Sequence, residues 1–112
     1  MLDTFKALAE PNRFHIIELL RGGPRPVGDV VHRLRLRQPQ VSKHLRVLSD
    51  AGLVVSRIDA QRRIYALRPA ALQQLDAWLE RYRQLWEHSF RRLDVLLDGL
   101  QAKERKSKRS KR

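Results

Sequence analysis

The chain contains no cysteine, which excludes disulfides, thiolate metal ligands and cysteine nucleophiles together. Apolar residues never run for the roughly 18 positions that a membrane span needs. The opening Met1-Leu2-Asp3-Thr4-Phe5-Lys6 lacks a basic segment followed by an apolar stretch. No secretory leader and no membrane partner are therefore expected, and the default location is the cytoplasm. Acids are scarce: 12 Asp and Glu face 24 Lys and Arg, a net of +12 over 112 residues. That balance calls for a polyanionic partner, nucleic acid ahead of an anionic surface. A length of this order is usually one domain. With 42% hydrophobic residues there is material for a core, but a thin one that a second subunit would help to complete.

The positive charge is clustered. Residues 103–112 hold seven bases and one acid, Glu104, and no apolar side chain. A segment that cannot pack is expected to be disordered, serving as a phosphate-touching arm or as a solubilising tail. The expected partition is thus one folded domain over 1–102 and a disordered basic tail over 103–112. A second cluster lies inside the domain: between Val30 and Ser49 stand Arg33, Arg35, Arg37, Lys43 and Arg46, with His32 and His44 and no acid.

Periodicity divides the rest. Leu2, Phe5, Leu8 and Ala9 recur at helical spacing, and Glu10-Pro11 breaks the pattern, because a residue before proline is pushed out of the helical region. Pro11 suits the first position of a second helix, whose expected buried stripe is Phe14, Ile17 and Leu20 or Leu19. Gly22-Gly23-Pro24-Arg25-Pro26 stops it. Val27, Val30, Val31 and Leu34 mark a third helix, Arg35-Leu36-Arg37-Gln38 a short turn, and Pro39 to Asp50 a fourth helix with Val41, Leu45 and Leu48 inward. Gly52 is the stop, free to take the left-handed conformation. Leu53 to Ile58 and Arg63 to Leu67 then read as two strands around a loop at Asp59-Ala60-Gln61-Arg62. From Pro69 to Leu100 a last helix about 48 Å long carries an apolar stripe that outruns the core it can cover. The stripe is assigned to a homodimer interface through Leu79, Tyr82, Trp86, Phe90, Leu93 and Leu97, with Leu2 and Phe5 of the first helix.

The expected fold class is mainly α with a two-stranded β-hairpin, arranged as a winged helix-turn-helix with a long C-terminal dimerisation helix. In such a unit the second helix of the pair enters the major groove of double-stranded DNA. Here that is Pro39 to Asp50, with Gln40, Lys43, His44 and Val47 expected to face out. Gln pairs with adenine and Lys donates to guanine. Ser42 and Arg46 flank that face and suit phosphates, as do Gln38 at the helix entrance and Arg37 in the turn. Arg57, Arg62 and Arg63 near the hairpin tip suit the neighbouring minor groove or its backbone.

These blocks resemble a known family. Ala7-Leu8-Ala9-Glu10-Pro11-Asn12-Arg13 followed by Ile16-Ile17-Glu18-Leu19-Leu20 resembles the opening of the ArsR family of bacterial winged-helix repressors. Gln38-Pro39-Gln40-Val41-Ser42-Lys43-His44-Leu45-Arg46-Val47-Leu48 is similar to its recognition helix. Ala51-Gly52-Leu53-Val54 and Arg62-Arg63-Ile64-Tyr65-Ala66-Leu67 resemble its helix end and wing. Glu10 stands where the family usually has Asp, and Gln61 where the wing turn usually has Gly. The resemblance implies a homodimer that binds a promoter operator and blocks transcription, often of its own operon, until an effector intervenes; the effector is not implied. Without cysteine, and with one histidine on the last helix, the chain resembles the branch that lacks a recognised metal site.

Rival functions are weak. Ser42 and His44 sit two apart, about 200° around a helix, and cannot share a proton, so a hydrolytic triad is excluded and no enzyme is expected. His88 with Glu87 or Asp94 across a dimer would make an oxygen-rich site of a metal-responsive repressor, but a single histidine among alternating charges reads as a solvated face. No cofactor is expected. A sequence-neutral DNA-coating protein, led by the basic tail, is the remaining alternative.

Overall fold

Local signals in the chain account for most helix ends. The computed structural model describes residues 1–110; Lys111 and Arg112, the end of the expected tail, lie outside the described residues. The order is α1 (Leu2–Leu8), α2 (Pro11–Leu20), β1 (Arg25–Pro26), α3 (Val27–Leu34), α4 (Gln38–Asp50), β2 (Val54–Asp59), β3 (Arg62–Leu67) and α5 (Pro69–Ser110). It is the mainly helical, winged helix-turn-helix order expected. Two units are distinguished, Met1–Leu75 and Asp76–Arg112.

In the first unit, Glu10 caps α2 from an extended backbone, its carboxylate accepting the Arg13 N–H at 2.8 Å, and Pro11 follows inside the first turn, where a missing N–H costs nothing. The buried face of α2 is Ile16, Ile17 and Leu20. This corrects the expected stripe: Phe14 is 53% exposed, because it lies about 120° around the helix from the middle of that face. At the far end of α4 the Gly52 N–H donates to the Ser49 carbonyl and the Leu53 N–H to the Leu48 carbonyl, both at 3.0 Å. Gly52 takes φ 75°, and Leu48 and Leu53 pack at the heart of the core. That is a Schellman ending, and it turns the chain straight into β2.

The hairpin gains a third strand. Arg25 pairs with Tyr65 and Pro26 with Ile64, giving the antiparallel order β1-β3-β2. The sequence reading took Gly22 to Pro26 only as a helix stop, since two residues show no alternation. Pro26 is tolerated because β1 is an edge. Between β2 and β3 the register closes on Asp59 opposite Arg62, so the loop is Ala60-Gln61, with Ala60 rather than Gln61 at positive φ (57°).

Val41, Leu45 and Leu48 of α4 pack with Val30, Ile16, Leu20, Leu53 and Val54, all within 2% of complete burial. On α1 the inward residues are Thr4 and Ala7, while Leu2 is exposed and Phe5 is 37% exposed.

The second unit is helix throughout its described length. Arg83 bridges Asp76 at 3.6 Å and Glu80 at 2.8 Å, and the Trp78 and Tyr82 rings meet at 5.0 Å. Leu79, Tyr82, Trp86, Phe90, Leu93 and Leu97 are each 40–62% exposed. Residues 103–110 continue α5 to Ser110, where a disordered tail was expected. Lys, Arg and Glu are good helix formers, and after Gly99 the segment holds neither Gly nor Pro to end the helix. No helix of the described residues is long and apolar enough to cross a membrane.

Candidate nucleic-acid interface

Burial of Val41, Leu45 and Leu48 fixes which side of α4 meets solvent. Gln38, Gln40, Ser42, Lys43 and Arg46 are exposed, as is Arg37 at the N-cap, whereas His44 and Val47 are half-buried. The outer face is therefore turned toward Ser42, Lys43 and Arg46 relative to the expected strip of Gln40, Lys43, His44 and Val47. The cause is tertiary, since α1 and α2 close over the other flank. The His44 Nδ1 lies 3.5 Å from Arg13 Nη1 and 3.8 Å from Glu10 Oε2. A guanidinium only donates, so the Arg13 contact calls for the tautomer with Nδ1 free to accept. Gln40 is also engaged: its Oε1 accepts the Arg37 N–H at 3.3 Å. The two-point reading of adenine assigned to Gln40 needs that oxygen free, so in this geometry only its NH2 group is on offer.

The wing arginines divide by strand parity. Ser56 lies opposite Tyr65 and Ile58 opposite Arg63, so these four share one face of the hairpin. Arg57, Arg62 and Ile64 belong to the other. Arg63 thus turns toward α4, where Ser42, Leu45, Arg46, Ser49, Asp50, Ser56, Arg63 and Tyr65 line a groove of about 300 Å3. Two cations and four hydroxyls, beside the single carboxylate of Asp50, suit a phosphate oxygen better than a base edge. Ser49, Ser56 and Tyr65 were missed by the sequence reading; the two-residue period of the strands around Arg63 was the signal that would have found the last two.

Charge pairing separates framework from interface. Arg25 reaches Asp29 at 2.7 Å and the Leu19 carbonyl at 3.1 Å, and Arg33 reaches Asp29 at 3.3 Å. The hydrogen bond from Arg25 and the charge of Arg33 hold the Asp29 carboxyl below the usual aspartate range. Among the described residues, Arg37, Lys43, Arg46, Arg57, Arg62 and Arg63 have no carboxylate partner. Nor does any group of three or more His, Asp or Glu among those residues stand close enough to hold a metal ion.

The chain is similar to known proteins. The sequence profile of a helix-turn-helix domain matches residues 8–57. The HTH-type transcriptional regulator Rv2034 of Mycobacterium tuberculosis is 37% identical over 96 residues, covering 86% of this chain and 87% of that protein. The transcriptional repressor SdpR of Bacillus subtilis is 32% identical over 79 residues, covering 70% and 88%. Among solved structures, the crystal structure of an ArsR family transcriptional regulator superimposes with a TM-score of 0.68 at 28% identity, over 76% of this chain and 88% of that one.

Proposed function

The chain belongs to the ArsR family of winged helix-turn-helix transcriptional regulators, DNA-binding proteins rather than enzymes, and from that premise we propose that it is a homodimeric repressor of its own or a neighbouring operon. The observation that carries the reading is the set of exposed, unpaired cations on α4 and the wing, mounted on the buried anchors Val41, Leu45 and Leu48. Lys43 lies nearest the groove floor. Ser42, Arg46 and Arg63 grip the backbone from the groove between helix and wing, Arg37 and Gln38 meet it at the helix entrance, and Arg57 and Arg62 meet it from the other face of the hairpin.

Homodimerisation is supported by the apolar stripe of α5, Leu79 to Leu97, too large a patch for a solvated monomer. Leu2 and Phe5 of α1 are the first unit's own apolar contribution. Lys103, Arg105 and Lys106 add phosphate contacts that act on all sequences alike. The reading places the protein in the cytoplasm with its operator.

The test compares a duplex from upstream of the protein's own gene with a random duplex at one salt concentration. A repressor prefers its operator by roughly a thousandfold or more and leaves a discrete footprint. Equal affinity for both duplexes would make it a sequence-neutral DNA-coating protein.

A further inference from the structure

We infer that Arg13 is a positioning residue for operator recognition, linking the end of α1 to the recognition helix through His44; this rests on α4 being the reading helix, as proposed above. Three groups converge on one guanidinium. Arg13 Nε donates to the Ala7 carbonyl at 2.8 Å, Nη2 to the Lys6 carbonyl at 3.4 Å, and Nη1 approaches His44 Nδ1 at 3.5 Å. Lys6 and Ala7 lie in the last turn of α1, where a cation is favoured, and the Lys6 carbonyl also accepts the Ala9 N–H at 3.3 Å. One side chain thus caps α1 and holds α4.

The linkage bears on function through helix rotation. His44 neighbours Lys43 in sequence, and Ser42 and Arg46 are two residues away on either side. Where His44 is held, those three point. A guanidinium is planar with donors in a fixed fork, so it sets the angle as well as the distance; an ammonium at the same place supplies charge without the fork. The Glu10 carboxylate lies on the same node, with one oxygen taking the Arg13 N–H at 2.8 Å and standing 3.8 Å from His44 Nδ1. Nearby, Asp3 and Lys6 of α1 line a hollow with Arg13, Val47 and Asp50.

The experiment has two arms, both on the full chain. In the free protein, the imidazole 15N shifts of His44 at about pH 8 report an unprotonated Nδ1 and a protonated Nε2. Arg13→Lys mixes the two tautomers. In the second arm, affinities for operator and random duplexes are measured at fixed salt and about pH 8. Arg13→Lys and His44→Ala each lower the operator-to-random ratio by roughly tenfold, the worth of one base contact. His44→Gln, whose amide oxygen can accept from Arg13, keeps the ratio. A protonated Nδ1 in the parent, or losses equal on both duplexes, overturns the inference. A parent that does not discriminate the duplexes refutes the repressor reading, and the tautomer arm still decides the role of Arg13.

Discussion

The groove between α4 and the wing makes a quantitative claim about Arg46 and Arg63. Both line the same space of about 300 Å3, whereas Arg57 sits on the opposite face of the hairpin. If Arg46 and Arg63 neutralise a single DNA phosphate, deleting either leaves that phosphate partly neutralised, and deleting both releases it. The salt dependence of binding counts phosphates, at about 0.9 log units of slope for each one. Arg46→Ala and Arg63→Ala should each lower the slope by less than that, and the double variant by about 0.9 in total. A charge-assisted contact is worth about 1.5–3 kcal/mol, so the double variant should lose about that much, and each single variant clearly less, because the remaining arginine still holds the phosphate. Arg57→Ala should add its own loss independently to either background. The assay is fluorescence anisotropy with operator and random duplexes over a salt series, and both duplexes should weaken alike. Strict additivity of Arg46 and Arg63, with a combined slope change near 1.8, would mean two separate phosphates and would refute the shared groove.

Trp86→Asp should dissociate the dimer by placing an unpaired charge in the α5 stripe, at a cost of at least about a hundredfold in dimer affinity; sedimentation that finds the parent monomeric at micromolar concentration would remove the interface. Ala60→Asn should stabilise the fold by about 0.5–1 kcal/mol in urea melts, because a left-handed backbone is costly for alanine and tolerated by asparagine; an unchanged midpoint would show that the turn relaxes. Asp29→Asn should destabilise the protein at neutral pH but not in acid. The folded carboxyl titrates below its ordinary range, so its contribution is complete above the unfolded value and vanishes as pH falls through the lowered one; parallel melting curves of parent and variant at every pH would contradict this. Titration with zinc, nickel and copper should leave operator affinity unchanged; a stoichiometric effect abolished by His88→Ala would establish a metal site.

What could be read in the sequence was whatever one element decides alone. Val41, Leu45 and Leu48 are the only large apolar side chains at helical spacing on one side of α4, so their burial followed from periodicity. Pro11 and Gly52 mark helix ends because backbone sterics act within a turn. Facing between elements was less legible. In α2, Phe14, Ile16, Ile17, Leu19 and Leu20 spread around more than one face, and only the docked neighbours choose among them. His44 looked free because nothing on α4 itself encloses it; Arg13 and Glu10, more than 30 positions away, do so. The same holds for the proposed interface. Basic residues could be counted along the chain, but which ones share a phosphate depends on the parity of β3 and on the flank of α4 that α1 and α2 cover. A substitution at Arg13 or Glu10, distant in sequence from every cation that meets DNA, is therefore a sharper probe of recognition than the removal of one more charge from the surface.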